Sequence, residues 1–292
     1  MEFLSDLASP IIIGLLLGGL YVVIALGLSL VFGVMKVINV AHGDFVVLGG
    51  YFAFALLTSF SIDPILSLVF GIPIFFVLGI LIEKFLLHRA VQRSADAALL
   101  IAFGIALIIQ NAAQIIWSPL SRGLITDYSM KSFQIGNVYV PLVYLLDFAA
   151  ALIVMVVVHQ FLKRTYLGQA ITAASQDRQT AELMGINPAR VYQIAFGIAM
   201  ALAAIAGVFL GLSFPFSPTS GTRFLIIAFG VVILGGLGSM VGTFLGGMIF
   251  GLAQTLGGHF LTPVFGPAAQ LLVPFVMVLI VLTIRPQGLF GR

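Results

Sequence analysis

The chain alternates between long apolar runs and short polar interruptions. Apolar stretches cover residues 10–34, 43–60, 65–87, 97–118 and 141–162, then 192–213, 225–233, 241–256 and 267–284. A helix needs about 20 mostly apolar residues to cross a bilayer. The pattern therefore predicts about nine membrane-spanning helices, with roughly eight to ten compatible with the run lengths. The count turns on 225–256, which Gly235-Gly236-Leu237-Gly238-Ser239 interrupts. These runs are continuous and lack the alternation of barrel strands, which argues against a transmembrane β-barrel. The expected fold is all-α, a polytopic integral membrane protein with one transmembrane domain over 1–292 and its largest charged insertion at 163–193.

Composition narrows the function classes. Of 292 residues, 61% are hydrophobic, and only 13 Lys/Arg and 10 Asp/Glu are present. A soluble chain of this length carries about 73 charged residues at the usual roughly 25%. Without a polar surface the chain is not an ordinary cytosolic enzyme, a disordered protein or a nucleic-acid binder. The net charge is only +3 and the basic residues are scattered. Cysteine is absent, which excludes disulfides and thiolate metal sites.

Charge then orients the chain. Lys84, Arg89 and Arg93 follow the third apolar run, Lys163, Arg164, Arg178 and Arg190 follow the fifth, and Arg285 and Arg292 lie in the tail. With the N-terminus outside and the C-terminus inside, nine spans place all three clusters in the cytoplasm. Arg122 and Lys131 then fall outside, beside Asp127. The first nine residues hold Glu2 and Asp6 but no basic residue, and the run after them is too long for a signal-peptide core, so a cleaved signal is not expected.

Motifs of covalent chemistry are missing. None of Lys36, Lys84, Lys131 and Lys163 lies in a phosphate-binding loop. There is no H-E-x-x-H or G-x-S-x-G. His42, His88, His159 and His259 are too dispersed for a metal cluster. The expectation is a non-enzyme that binds no cofactor itself; any ATP is used by another polypeptide.

Glycine supplies 32 residues, about 11% against an average near 7%. Gly14/Gly18, Gly207/Gly211, Gly238/Gly242/Gly246 and Gly247/Gly251 have the four-residue spacing that lets helices approach closely in lipid. Two places differ. Lys36-Val37-Ile38-Asn39-Val40-Ala41-His42-Gly43-Asp44 is a polar interruption between apolar runs, and Gly235–Ser239 is a glycine interruption about 200 residues later. Paired breaks in the two halves of a transporter mark the substrate path at an internal repeat interface. The expected path residues are Asn39, His42, Gly43, Gly235, Gly236, Gly238 and Ser239, touching solute or shaping a broken helix. Gln110 and Gln114 share a helical face in the fourth run, and Asp147 is expected at a membrane interface rather than in a proton relay.

The 163–193 insertion reads as two short helices. The first covers 168–175; Asp177 caps a second over 178–184, Gly185 terminates it and Pro188 prevents continuation. Gly168, Ala174, Asp177, Ala181, Gly185 and Ile186 mark it as a small-residue docking element.

Three blocks carry a family resemblance. The first is Gly19-Leu20-Tyr21 with Ala25-Leu26-Gly27-Leu28-Ser29-Leu30-Val31-Phe32-Gly33-Val34-Met35-Lys36-Val37-Ile38-Asn39-Val40-Ala41-His42-Gly43-Asp44-Phe45. The second is Thr165-Tyr166-Leu167-Gly168 with Ala174, Asp177, Ala181 and Met184-Gly185-Ile186; the third is Gly235-Gly236-Leu237-Gly238-Ser239 with Gly242 and Gly246-Gly247. With the closing Arg285-Pro286-Gln287-Gly288-Leu289-Phe290-Gly291, the chain resembles, over nearly its whole length, the LivH-like permeases of branched-chain amino acid ABC importers. The resemblance implies a bacterial inner-membrane permease. It also implies a second homologous permease, two cytoplasmic ATPase subunits and an extracytoplasmic solute-binding protein as partners. The 163–193 insertion would be the ATPase-coupling loop, and leucine, isoleucine, valine or a related neutral solute the cargo. The competing reading is an ion-coupled secondary amino-acid carrier, which needs ionisable groups inside the membrane.

Overall fold

The computed structural model describes residues 2–135 and 138–291; Arg292, assigned above to the basic tail, lies outside them. The apolar runs form the helices α1 (Glu2–Met35), α2 (His42–Phe60), α3 (Leu68–Ile82), α5 (Ala95–Trp117), α6 (Leu142–Arg164), α9 (Pro188–Ser213), α10 (Gly221–Gly235), α11 (Met240–Phe265) and α12 (Ala269–Ile284). A π-turn at Glu83–Leu87 carries α3 into the short α4 (His88–Arg93). Counted through that turn, seven of these helices are long and apolar enough to cross a membrane, whereas α10 and α12 are shorter. At 1.5 Å per residue, the 15 residues of α10 rise only about 22 Å, short of a roughly 30 Å hydrocarbon core. It is a half-crossing element, for the reason given below.

A two-stranded antiparallel hairpin, β1 (Ser132–Ile135) and β2 (Val138–Pro141), stands where the hydropathy pattern suggested a plain loop. Buried Val138 and Val140 alternate with exposed Tyr139 along β2 and pack with Leu16 of α1. The insertion after α6 folds as α7 (Tyr166–Gln176) and α8 (Arg178–Leu183).

Packing follows a mirrored scheme: α1 lies along α11 as α9 lies along α3, and α10 leans on α1 as α2 leans on α9. Bare backbone makes these contacts possible. A Cβ on Gly251 of α11 would come within 2.4 Å of the Gly14 carbonyl oxygen of α1. The core is densest around α1 and α9, whereas α3 and α5 leave most of their apolar surface outward, as lipid-facing helices do.

Candidate translocation and coupling site

After Met35 the chain does not leave the bundle. Lys36 ends α1 in a left-handed conformation (φ 54°), and residues 36–41 double back along the helix. His42 Nε2 donates to the Ile24 carbonyl at 2.8 Å, about 12 residues deep in α1 when counted from Lys36. Gly27 makes room for the ring: a Cβ there would lie 2.8 Å from His42 Cε1. Donation by Nε2 leaves Nδ1 as an acceptor, and it has no partner. Asn39 shapes the turn, its side-chain oxygen accepting from the Ala41 amide at 3.2 Å and its carbonyl from the His42 amide at 3.1 Å. Both side chains are buried. His42 therefore pins the start of α2 to α1, and Asn39 fixes the turn that brings it there.

The partner of this break is the segment 214–220. It turns back after α9, with Phe216 paired to Arg122 through two backbone bonds of 2.8 Å and its ring 4.9 Å from that of Tyr51 on α2. It then descends beside α2 to Gly221, where α10 begins. The two helix starts touch backbone to backbone: a Cβ on Gly43 would lie 2.0 Å from the Gly221 carbonyl oxygen. The helices α2 and α10 thus meet N-terminus to N-terminus inside the bundle, and their partial positive charges converge. Asp44 lies at this junction, 2% exposed, and its Oδ1 accepts from Gln110 Nε2 of α5 at 2.9 Å. A carboxyl in the first turn offsets both dipoles. The Asp44–Gln110 pair was not legible as a pair, although both residues stood out as polar within apolar surroundings.

Gly235–Ser239 lies elsewhere. It is the tight turn from α10 to α11, with Gly236 at φ 106° and Gly238 at φ 79°. Ser239 caps α11 through the Gly242 amide at 3.1 Å. The C-terminal tail closes over the turn: the Leu289 and Phe290 amides donate to the Leu234 and Gly235 carbonyls at 2.9 and 3.2 Å, satisfying acceptors that a helix end leaves open. Asn39, His42 and Gly43 are thus together at the central junction, and the second glycine group is apart from them at the end of α10. A cavity of about 630 Å³ adjoins that turn, bounded by the end of α1, by α7 and by Leu237–Val241, with Gly238 and Ser239 in its wall.

The coupling candidate is built as local chemistry dictates. Thr165 caps α7 by accepting from the Gly168 amide at 3.0 Å. Gly168 lets α7 fold tightly onto α6, since a Cβ would lie 2.2 Å from the Phe161 carbonyl oxygen. Asp177 accepts from the Gln179 and Thr180 amides at 2.9 and 3.1 Å and from the Thr180 hydroxyl at 2.7 Å. The Thr180 hydroxyl foremost, with these amides, holds the Asp177 carboxyl below the usual carboxylate range. At the other end the Ile186 amide donates to the Ala181 carbonyl and the Gly185 amide to that of Glu182, each at 3.0 Å, with Gly185 at φ 82°; this is a Schellman ending. Ala174 and Ala181 face inward, 3% and 4% exposed, and seat the element on the bundle. Leu183 and Met184 project outward, 88% and 79% exposed.

Buried carboxyls are more numerous than the hydropathy pattern suggested. Asp147, near the start of α6, is fully buried within the protein and accepts from Ser213 Oγ at 2.6 Å. Glu83 is buried at the π-turn, 3.1 Å from His88 Nδ1. Among the described residues no group of three His, Asp or Glu side chains is arranged to hold a metal ion.

A bundle of apolar helices, with two helix N-termini meeting inside it and a capped helical elbow outside it, has the form of a multi-pass membrane protein. The chain belongs to the family described as branched-chain amino acid transport system / permease component, which matches residues 11–282. That family comprises transport components rather than enzymes. The chain is 30% identical to the high-affinity branched-chain amino acid transport system permease protein BraD of Pseudomonas aeruginosa, over 96% of this chain and 94% of BraD. It is 31% identical to LivH of Salmonella typhimurium, a permease protein of the same description, with the same coverage. It is also 24% identical to the LivM permease protein of that organism, over 92% of this chain and 67% of LivM.

Proposed function

We propose that this chain is the membrane-spanning permease subunit of an ATP-driven importer for branched-chain or related neutral amino acids in a bacterial inner membrane. It forms the translocation path with a second, homologous permease. ATP is hydrolysed by two cytoplasmic ATPase subunits, and an extracytoplasmic binding protein delivers the solute. The N-terminus lies outside and the C-terminus inside, as the basic clusters require. The observation that carries the reading is the α7–α8 elbow. It is capped at both ends, seated by Ala174 and Ala181, and presents bare Leu183 and Met184 outward. Large apolar side chains on a compact polar loop fit a protein groove, and an ATP-driven transporter chain without a phosphate-binding loop receives its driving force by such a contact.

The buried carboxyls Asp44 and Asp147 are the feature an ion-coupled carrier would use. Each is hydrogen-bonded by a neutral side chain of another element, Gln110 or Ser213, as in structural cross-links. Reconstitution separates the two readings. Leucine uptake into vesicles that requires ATP and the external binding protein supports the importer. Uptake driven by a proton or sodium gradient alone overturns it.

A further inference from the structure

The 630 Å³ cavity beside α7 has a division of chemistry that the transport reading does not by itself require. Lys36 is the one charged residue among the described residues that line it. Lys36 also holds a left-handed backbone, φ 54°, at a helix end where glycine or asparagine would be at ease. A lysine kept there at a conformational cost points to its ammonium group as the useful part. Thr172 and Ser175 of α7 stand on the cavity wall. Their hydroxyl protons are already committed, Thr172 to the Gly168 carbonyl at 2.9 Å and Ser175 to the Thr172 carbonyl at 2.7 Å. What these oxygens still offer is lone pairs. The rest of the wall holds Ser29, Gln176 and Ser239 as polar members and Phe290 as an aromatic one, with an aliphatic share that includes Val34, Ile171 and Val241.

We infer that this cavity is a binding site for the zwitterionic amino acid itself, on the side where it leaves the permease, with Lys36 receiving the carboxylate, Thr172 and Ser175 the ammonium, and the aliphatic wall the side chain. The inference rests on the transport reading and its orientation. The volume falls within the range of about 300–1,000 Å³ usual for small-molecule sites. A donor group, an acceptor group and an apolar wall match the three parts of leucine. Because Thr172 and Ser175 belong to α7, an occupied cavity bears directly on the elbow proposed to meet the ATPase. A solute that has not yet left would then be sensed through the same helix that couples transport to hydrolysis.

The chain has no cysteine, so Gln176→Cys, at a lining position that takes no part in holding the solute, supplies a single thiol in it. The assembled importer is placed in inside-out membrane vesicles and the rate of maleimide labelling is measured. Millimolar leucine is expected to slow labelling several-fold. Isoamylamine, which lacks the carboxylate, and isocaproate, which lacks the ammonium, leave it unchanged. Lys36→Met in the same background abolishes protection and Lys36→Arg retains it. A cysteine at Tyr166, exposed on α7 and outside the cavity, is labelled at the same rate with or without leucine. If Gln176→Cys does not assemble, Leu237→Cys, also on the cavity wall, serves as the reporter. Labelling that leucine leaves unchanged, or protection that survives Lys36→Met, overturns the site. Leucine uptake by the parental complex is measured in parallel. Normal uptake without protection rejects the cavity and spares the transport reading. Protection without any ATP-dependent uptake supports the cavity and rejects that reading.

Discussion

Gly185→Val isolates the contribution of the elbow to transport. At φ 82° the backbone of Gly185 lies in the left-handed region, and a Cβ there would meet no atom within 4 Å. The cost of a side chain is therefore conformational and not steric crowding. For an L-residue it is about 1–2 kcal/mol, at the upper end for a β-branched one. Such a cost changes a local equilibrium by a factor of about 5–30. Little else holds α8 in place, because it has six residues and Ala181 is its only buried one. The remainder of the bundle does not touch Gly185, so membrane expression should stay near normal. Leucine uptake and solute-stimulated ATP hydrolysis should both fall several-fold in reconstituted vesicles. Gly185→Ala should fall less, and Gly185→Asn least, because asparagine tolerates φ > 0. Asp177→Ala removes the opposite cap and should act in the same direction. The Asp177 carboxyl is held below its ordinary range, so its cap is complete above that range and is lost only as pH falls through the lowered value. The cap-dependent part of uptake should therefore be flat from about pH 6 to about pH 8. Full uptake and full coupled hydrolysis in Gly185→Val would refute the reasoning, and the coupling contact would lie elsewhere.

Three further outcomes are expected. Gly236→Leu places a side chain at φ 106°, with its Cβ 2.4 Å from the Gly291 amide nitrogen, so it should displace the tail from the α10–α11 turn and lower uptake; wild-type uptake would mean that transport does not need this closed turn. Gly43→Ala puts a methyl 2.0 Å from the Gly221 carbonyl oxygen where ordinary contact begins at 3.4 Å, so the starts of α2 and α10 must part by about 1.4 Å. Overpacking of this kind costs about 1–3 kcal/mol, and a thermal-shift assay should read a lower melting temperature; an unchanged one would mean the junction is loose. Membrane-impermeant labelling of a cysteine at Ser5 and a reporter fused to the tail should report opposite sides, and labelling from one side would reject the proposed orientation.

The apolar runs alone determined the class of protein. A hydrocarbon solvent accepts few structures, and twenty-residue apolar stretches with sparse charge satisfy one of them. The elbow was equally legible, because its ends depend on near neighbours: Asp177 reaches amides two and three residues on, and Gly185 supplies a backbone angle that glycine adopts freely. Tertiary structure decided which break meets which. Phe214-Pro215-Phe216-Ser217-Pro218-Thr219-Ser220 reads as an ordinary connector, and nothing in its pattern says that it folds back beside α2. That course is set by the approach of α10 to α2 at Gly43 and Gly221, residues 178 positions apart (221 − 43). The same holds for Asp44 and Gln110, separated by 66 residues, and for Asp147, whose bond to Ser213 spans the same distance. Hydropathy registers how much polarity a segment carries. Whether a carboxyl faces water, a neighbouring amide or a helix end depends on partners that only the packed bundle brings within hydrogen-bonding reach, because burying a polar group is tolerable only where such a partner waits.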